Sequence, residues 1–101
     1  MELFIIGDHD TVLGFSLAGI EGRIVKDSRE AYSALNEVVE AGEVGILLIT
    51  ERLAHELRKD IDQIMMTRRY PLVVEIPDVE GPFEEKVTIS DLVKTAIGIK
   101  I

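Results

Sequence analysis

Apolar residues fall into four short runs along the chain, at residues 3–6, 24–25, 44–49 and 72–76. Three of the runs are nearly continuous, whereas the run at 24–25 is weak. Continuous apolar runs are typical of strands that are covered on both faces, as in a parallel sheet. The pattern therefore predicts four buried strands.

The stretches between the runs have helical periodicity. Asp27, with Glu30 three residues later, resembles a capping box, and Gly42 is placed to end the helix that follows. Its apolar positions recur at helical spacing and are Ala31, Ala34, Leu35, Val38 and Val39. This is the clearest helix in the sequence.

Two further helices are predicted with less regular patterns. Asp10 is placed to cap a helix that begins at Thr11 and ends at Gly19. Another helix begins at Thr50, carries apolar residues on one face and breaks near Asp60. Pro71 prevents this helix from continuing into the fourth strand.

The order of these elements predicts an α/β fold. It is a four-stranded parallel sheet with receiver-like or Rossmann-like βαβ layering, right-handed crossovers and helices on both faces. Residues 1–76 make up this domain, and residues 77–87 form an acidic linker that contains proline and glycine. Residues 88–101 form a C-terminal amphipathic helix, with an apolar stripe of Ile89, Leu92, Val93, Ala96 and Ile97.

Composition and charge exclude several classes of partner. The 101 residues carry a formal net charge of −8, which disfavours nucleic acid and anionic membrane surfaces. The chain has no cysteine, so disulfides and thiol chemistry are excluded. No apolar run approaches the roughly 20 residues that span a bilayer, and no signal peptide is recognisable. A cytoplasmic protein without membrane insertion is expected.

The turn after the first strand does not have the pattern of a nucleotide site. Gly7 and Gly14 match neither the Walker loop nor the dinucleotide fingerprint, and no lysine follows them. Asp8 and Asp10 would repel a phosphate and suit the start of a helix. No cofactor is expected.

A receiver domain of the response-regulator type is a second alternative. Asp8 and Asp10 loosely fit the acidic pair of that family, but the third strand ends at Ile49, Thr50 and Glu51 without a phospho-accepting aspartate. His9 and His55 lack metal-ligand spacing. The residues thus indicate no catalytic or metal site, although a degenerate receiver-like interaction module stays open.

Two features are candidates for contact with a partner. Arg68 and Arg69 form an arginine doublet, either as a solvated helix end or as a contact for an acidic partner. Gly14 lies inside a predicted helix, where glycine costs about 1 kcal/mol relative to alanine. Its presence indicates close packing, inside the fold or across an interface.

Several segments together resemble the F subunit of archaeal and V-type rotary ATPases. They are residues 6–20, 46–51, 71–77, 81–82 and 92–98, in that order along the chain. His9 departs from the family pattern, since members often carry glutamate there. The resemblance covers essentially the whole sequence.

This resemblance implies a non-catalytic role in the central stalk, or rotor, of an ATP synthase or ATPase. Such a protein docks on the coiled-coil D subunit and helps couple ATP synthesis or hydrolysis to ion transport, on the cytoplasmic side and without a cofactor of its own. The C-terminal helix would reach the D subunit or the A/B catalytic hexamer. The residues expected at the partner interface are Gly14, Arg68, Arg69, Leu92, Val93 and Ile97.

Overall fold

The structure is a computed structural model that describes residues 2–78, 80 and 81. Its four strands are β1 (Glu2–Gly7), β2 (Glu21–Ile24), β3 (Val44–Thr50) and β4 (Leu72–Ile76). All pairs are parallel, and the sheet order is β2-β1-β3-β4. The predicted parallel α/β fold is confirmed. The predicted C-terminal helix over 88–101 lies outside the described residues, and the domain boundaries stay predictions.

Four helices connect the strands, namely α1 (His9–Leu17), α2 (Ser28–Ala41), α3 (Glu51–Glu56) and α4 (Arg58–Thr67). Helix α2 begins and ends as predicted. The Asp27 carboxylate accepts a hydrogen bond from the Glu30 backbone N–H at 2.9 Å. Gly42 adopts a left-handed conformation at φ 69° and closes the helix, where a residue with a side chain would be strained.

Three boundaries differ from the sequence prediction. Asp8, not Asp10, caps α1, because its side chain accepts the Thr11 backbone N–H. Strand β2 begins at Glu21, before the apolar pair at 24–25, and includes only Ile24 of that pair. All four of its residues are exposed at the sheet edge, so the strand carries no apolar run. The break in the third helical segment lies at Leu57 rather than near Asp60. Leu57 is itself buried, so the apolar stripe runs through the break and hides it.

The sheet has two unlike faces, because consecutive strand residues point to opposite sides. Ile6, Leu47 and Ile49 are fully buried on the face that we call the core face. This face packs against α2, α3 and α4 in one cluster. The members of the cluster on these helices, or at the break between α3 and α4, are Ala31, Ala34, Leu35, Val38, Val39, Ala54, Leu57 and Ile61.

The opposite face, which we call the α1 face, carries Ile5 and the close packing of α1. A Cβ atom on Gly22 would lie 2.7 Å from the Ile5 carbonyl oxygen and 3.0 Å from Val12 Cγ1. Glycine at this position therefore allows α1 to pack directly on β1 and β2. In the described part of the chain, no helix lies over β3 and β4 on this face.

Candidate interaction surface

Thr50 packs against Gly7 where β1 and β3 end. This edge of the sheet is where a receiver domain has its acidic site. A Cβ atom on Gly7 would lie 3.0 Å from Thr50 Cγ2, and Thr50 is only 2% exposed. The residue at the end of β3 is thus a buried hydroxyl side chain with no phospho-accepting carboxylate. The arrangement offers no receiver chemistry at this edge.

The Asp8 carboxylate is used to start helix α1. Thr11 Oγ1 donates to Asp8 Oδ1 at 2.6 Å, and the Thr11 backbone N–H donates to Asp8 Oδ2 at 3.2 Å. Partial burial raises the pKa of Asp8, but the hydrogen bonds from the Thr11 side chain and from backbone N–H groups outweigh burial and leave the pKa below its usual value. Both carboxylate oxygens therefore have a structural role.

Replacing Asp8 with alanine is expected to lower the free energy of unfolding by about 1 kcal/mol at neutral pH, as for other lost N-caps. Because the folded-state pKa is depressed, this contribution is present above the unfolded pKa of about 3.9 and is lost as the pH falls through the folded pKa. Urea denaturation between pH 7 and pH 2.5 measures both effects. Asp10→Ala is the matched control, and an equal loss in that variant would contradict the assignment of the cap to Asp8.

The histidines and acidic residues do not form a metal site in the part of the chain that the structure describes. His9 Nδ1 lies 3.2 Å from Asp10 Oδ1, with both side chains more than two-thirds exposed. His55 lies in the last turn of α3 and is also exposed. The described helices include none long and apolar enough to cross a membrane.

Helix α1 presents an apolar outer surface to solvent. Residues 11–20 contain no charged side chain, although 30% of the whole chain is charged. Leu13 is 48% exposed and Leu17 is 82% exposed, and Gly14 between them is exposed as well. Leu17 follows Leu13 at i+4 and Gly14 at i+3, and positions with these spacings are neighbours on a helix, so the three residues lie on one strip. A helix that is apolar on its outer side is typical of an element covered by another.

Gly14 does not pack closely within the described structure. A Cβ atom built there meets no atom within 4 Å. The interpretation of Gly14 as a close contact inside the fold is therefore wrong for residues 2–78, 80 and 81. Contact across an interface is the interpretation that the geometry favours.

Replacing Gly14 with alanine is expected to raise the free energy of unfolding by about 0.5–1 kcal/mol, because alanine loses less backbone entropy in a helix and nothing obstructs its methyl group. Gly22→Ala is the matched comparison and is expected to destabilise, since its methyl group would collide with Ile5. Thermal or urea unfolding of both variants measures whether each substitution raises or lowers the free energy of unfolding. Destabilisation by Gly14→Ala would show that the helix surface is already occupied in the free protein.

The exposed apolar side chains concentrate on the side of α1. Among the described residues, six of the ten large exposed hydrophobic side chains lie there, either on α1 itself or on the α1 face of the sheet. We call this set the α1 surface; its members are Leu3, Leu13, Leu17, Ile24, Leu72 and Val74. Parallel sheets are normally covered on both faces, and a large apolar patch marks an interaction site.

The other residues expected at an interface are placed differently. Arg68 ends α4, and its guanidinium Nη2 lies 3.7 Å from Glu40 Oε1 at the end of α2. Arg69 is exposed in the segment between α4 and β4. Leu92, Val93 and Ile97 lie outside the described residues. Sequence reasoning missed Leu13 and Leu17, although the uncharged run at 11–20 was the signal that could have found them.

Comparison with known proteins agrees with this non-catalytic picture. Residues 3–93 match the family described as ATP synthase (F/14-kDa) subunit. The chain belongs to this family of ATP synthase subunits.

Similar proteins span nearly the same length. The F subunit of the A-type ATP synthase of Methanothermobacter thermautotrophicus is 35% identical, over 99% of this chain and 95% of that protein. The corresponding F subunits of Pyrococcus abyssi and Methanocaldococcus jannaschii are 38% and 32% identical, each over 100% of this chain and over 98% and 99% of their own lengths. The likeness covers the described domain and the C-terminal residues alike.

Proposed function

We propose that this chain is a non-catalytic central-stalk component of an A/V-type ATP synthase or ATPase, docked on the coiled-coil D subunit at the cytoplasmic side. In this role it helps couple ATP synthesis or hydrolysis to ion transport by holding the rotor together. The observation that carries the proposal is the exposed apolar strip of α1 from Leu13 to Leu17, which lies within the uncharged run at residues 11–20. Membership in the ATP synthase family supports the complex to which it belongs.

The α1 surface has the chemistry that a coiled-coil helix requires. Leu13 and Leu17 provide side chains that interdigitate with a partner helix, and Gly14 beside them leaves room for its closest approach. Because Leu13, Gly14 and Leu17 carry no charge, partner residues that are buried against this strip need no charge either. A surface of this kind favours an apolar helix over an acidic or basic peptide.

The predicted C-terminal helix adds a second set of contacts. Its apolar stripe includes Leu92, Val93 and Ile97, and it follows an acidic linker that allows it to lie away from the domain. We place this segment against the D subunit, with the A/B hexamer as the further partner within reach. Arg68 and Arg69 supply positive charge to this otherwise acidic chain for acidic partner residues.

Co-expression with the D subunit of the same organism tests the proposal. Stable one-to-one co-purification through size-exclusion chromatography at both low and high salt is the expected result, because salt screens ion pairs but does not weaken the burial of apolar surface. Failure to bind D would overturn the proposal. In that case, labelling by acetyl phosphate would support the receiver-like alternative, and nucleotide-dependent melting would indicate a nucleotide site.

A further inference from the structure

The end of helix α4 carries exposed apolar side chains next to the arginine doublet. Met66 is 85% exposed, and Met65 and Tyr70 are each half-exposed. Arg68 and Arg69 lie between them along the chain. We call these five residues the α4 tip. Because they span only six consecutive positions, they lie together at one corner of the domain.

The packing of α4 on the sheet does not need Met66. Ile61 is fully buried, and Leu57 just before the helix is nearly so. Ile64 packs against the same core cluster. These three residues recur at helical spacing and form the inner side of α4. Met66 follows Ile61 by five positions, which places it on the outer side, where an apolar side chain contributes little to the free chain.

The two arginines of the α4 tip are incompletely paired. Arg68 Nη2 lies 3.7 Å from Glu40 Oε1, whereas charge-assisted hydrogen bonds between such groups are about 2.7–2.9 Å long. Both side chains of this pair are exposed, so the pair stabilises the fold little. Arg69 makes no ion pair with a described residue. The α4 tip is therefore a positive patch on a chain whose formal net charge is −8.

Apolar area beside incompletely paired arginines fits one kind of partner. Methionine, tyrosine and arginine are the residue types enriched at interfaces between proteins. Methionine side chains adapt their shape to a partner, and a guanidinium binds a carboxylate through two parallel hydrogen bonds. The fitting occupant is a segment with apolar residues that cover Met66 and Tyr70 and with carboxylates that pair with Arg69. A basic segment would be repelled.

The α4 tip does not share an occupant with the strip on α1. Helix α4 packs on the core face of the sheet, and α1 packs on the opposite face. Because the sheet separates the two helices, a helix seated on Leu13 and Leu17 does not cover Met66. Both surfaces can therefore be occupied at the same time.

We propose that the α4 tip is a second docking site, which takes an acidic amphipathic segment of a synthase subunit other than D. This inference goes beyond the proposed function, because it adds a partner. It relies on the membership of the chain in a family of ATP synthase subunits and not on the binding of D.

Oxidation by hydrogen peroxide, read by mass spectrometry, tests whether the α4 tip is covered. Met66 is expected to be oxidised at rates that agree within about twofold in the free chain and in its complex with D, because its side chain is open to solvent. In the complete synthase, purified through a tag on another subunit, the rate is expected to fall at least about tenfold. Equal rates in all three samples would overturn the docking site. Protection already in the D complex would assign the α4 tip to D and overturn a further partner.

Charge reversal tests whether the partner is acidic. In a synthase that carries Arg69→Glu, Met66 is expected to be oxidised within about twofold of the free-chain rate, because the new carboxylate repels those of the partner. Urea denaturation of the free variant checks that it folds. Protection of Met66 that survives Arg69→Glu would overturn the acidic partner.

Arg29→Glu is the matched control for the reversed charge. Arg29 is exposed, makes no ion pair with a described residue and lies about 16 Å from Glu40 along α2. We expect Met66 to stay protected in a synthase that carries this variant. Loss of protection in both variants would show a general effect of charge and overturn the local contact of Arg69.

Two further outcomes separate the proposal from its alternatives. Protection of Met66 in the free chain by vesicles of phosphatidylglycerol and phosphatidylcholine would assign the α4 tip to an anionic membrane surface and overturn the protein partner. If the chain does not bind D, the proposed function fails, whereas the comparison of the free chain with the complete synthase still decides whether the α4 tip is a docking site.

Discussion

Replacing Leu17 with aspartate is expected to weaken binding of the D subunit by about 100-fold or more, because a carboxylate would be buried at the centre of an apolar interface without a partner. Leu17 is 82% exposed in the described structure, so its replacement removes almost no contact from the free protein. The free energy of unfolding should change by less than about 0.5 kcal/mol. Titration of D by calorimetry, together with urea denaturation, measures the two quantities.

Ser33→Asp is the matched control for charge. Ser33 is exposed on α2, which packs on the core face, and the substitution adds the same single negative charge. We expect this variant to bind D like the parent chain. If Leu17→Asp also bound D like the parent chain, the α1 surface would not be the docking site, even where co-purification supports the stalk assignment.

The second large effect concerns the sheet and follows from the difference between its two faces. Leu47 is fully buried on the core face, whereas the next residue, Leu48, is half-buried on the α1 face. Leu47→Ala is expected to lower the free energy of unfolding by about 3–4 kcal/mol, because it leaves a cavity among close-packed side chains. Leu48→Ala should cost less, about 1–2 kcal/mol, since part of the Leu48 side chain already contacts water.

Urea denaturation of the two variants compares neighbouring leucines of one strand, so local propensity is the same in both. The m-value should stay unchanged if only stability differs. Equal losses for Leu47→Ala and Leu48→Ala would show that residues outside the described part cover the α1 face in the free chain. In that case, the α1 face of β3 and β4 would not be open to a partner, and docking would be confined to the outer side of α1.

The two experiments address one physical question, namely what covers the second face of a parallel sheet. The described residues place α2, α3 and α4 on the core face and only α1 on the other. The docking on the D subunit that we propose would use this apolar area, which the described residues leave uncovered. The Gly14→Ala variant adds a third measurement of the same surface. The sign of the change in its free energy of unfolding reports whether the strip beside Leu13 is open.

The elements with strong periodicity were predictable from sequence. Helix α2 has an apolar stripe, an aspartate cap and a glycine stop, and each of these local signals points to the same boundaries. Strands β1, β3 and β4 were recognisable as continuous apolar runs, since apolar side chains stand on both of their faces. These signals are local, so no knowledge of the tertiary structure was needed to recognise them.

Elements without a local signal were misplaced. Strand β2 is an exposed edge strand of four residues, and its register with β1 is set by pairing of Phe4 with Glu21 and of Gly7 with Ile24. The cap of α1 was assigned to Asp10 and not to Asp8, since both carboxylates lie near the start of the same helix. The break at Leu57 was hidden because a buried residue occupies it.

The sequence by itself determined the α/β class, the absence of a recognisable nucleotide loop or phospho-accepting aspartate, and the resemblance to the F subunit of rotary ATPases. Local periodicity and motif spacing are enough for the first two conclusions, and the order of the matching segments is enough for the third. Only the tertiary structure decided that Gly14 is open rather than packed among the described residues, that Leu13 and Leu17 lie on the same side as Leu72 and Val74, and that Arg52 reaches Asp78. Such relations depend on strand order and register, which bring together residues that are distant along the chain.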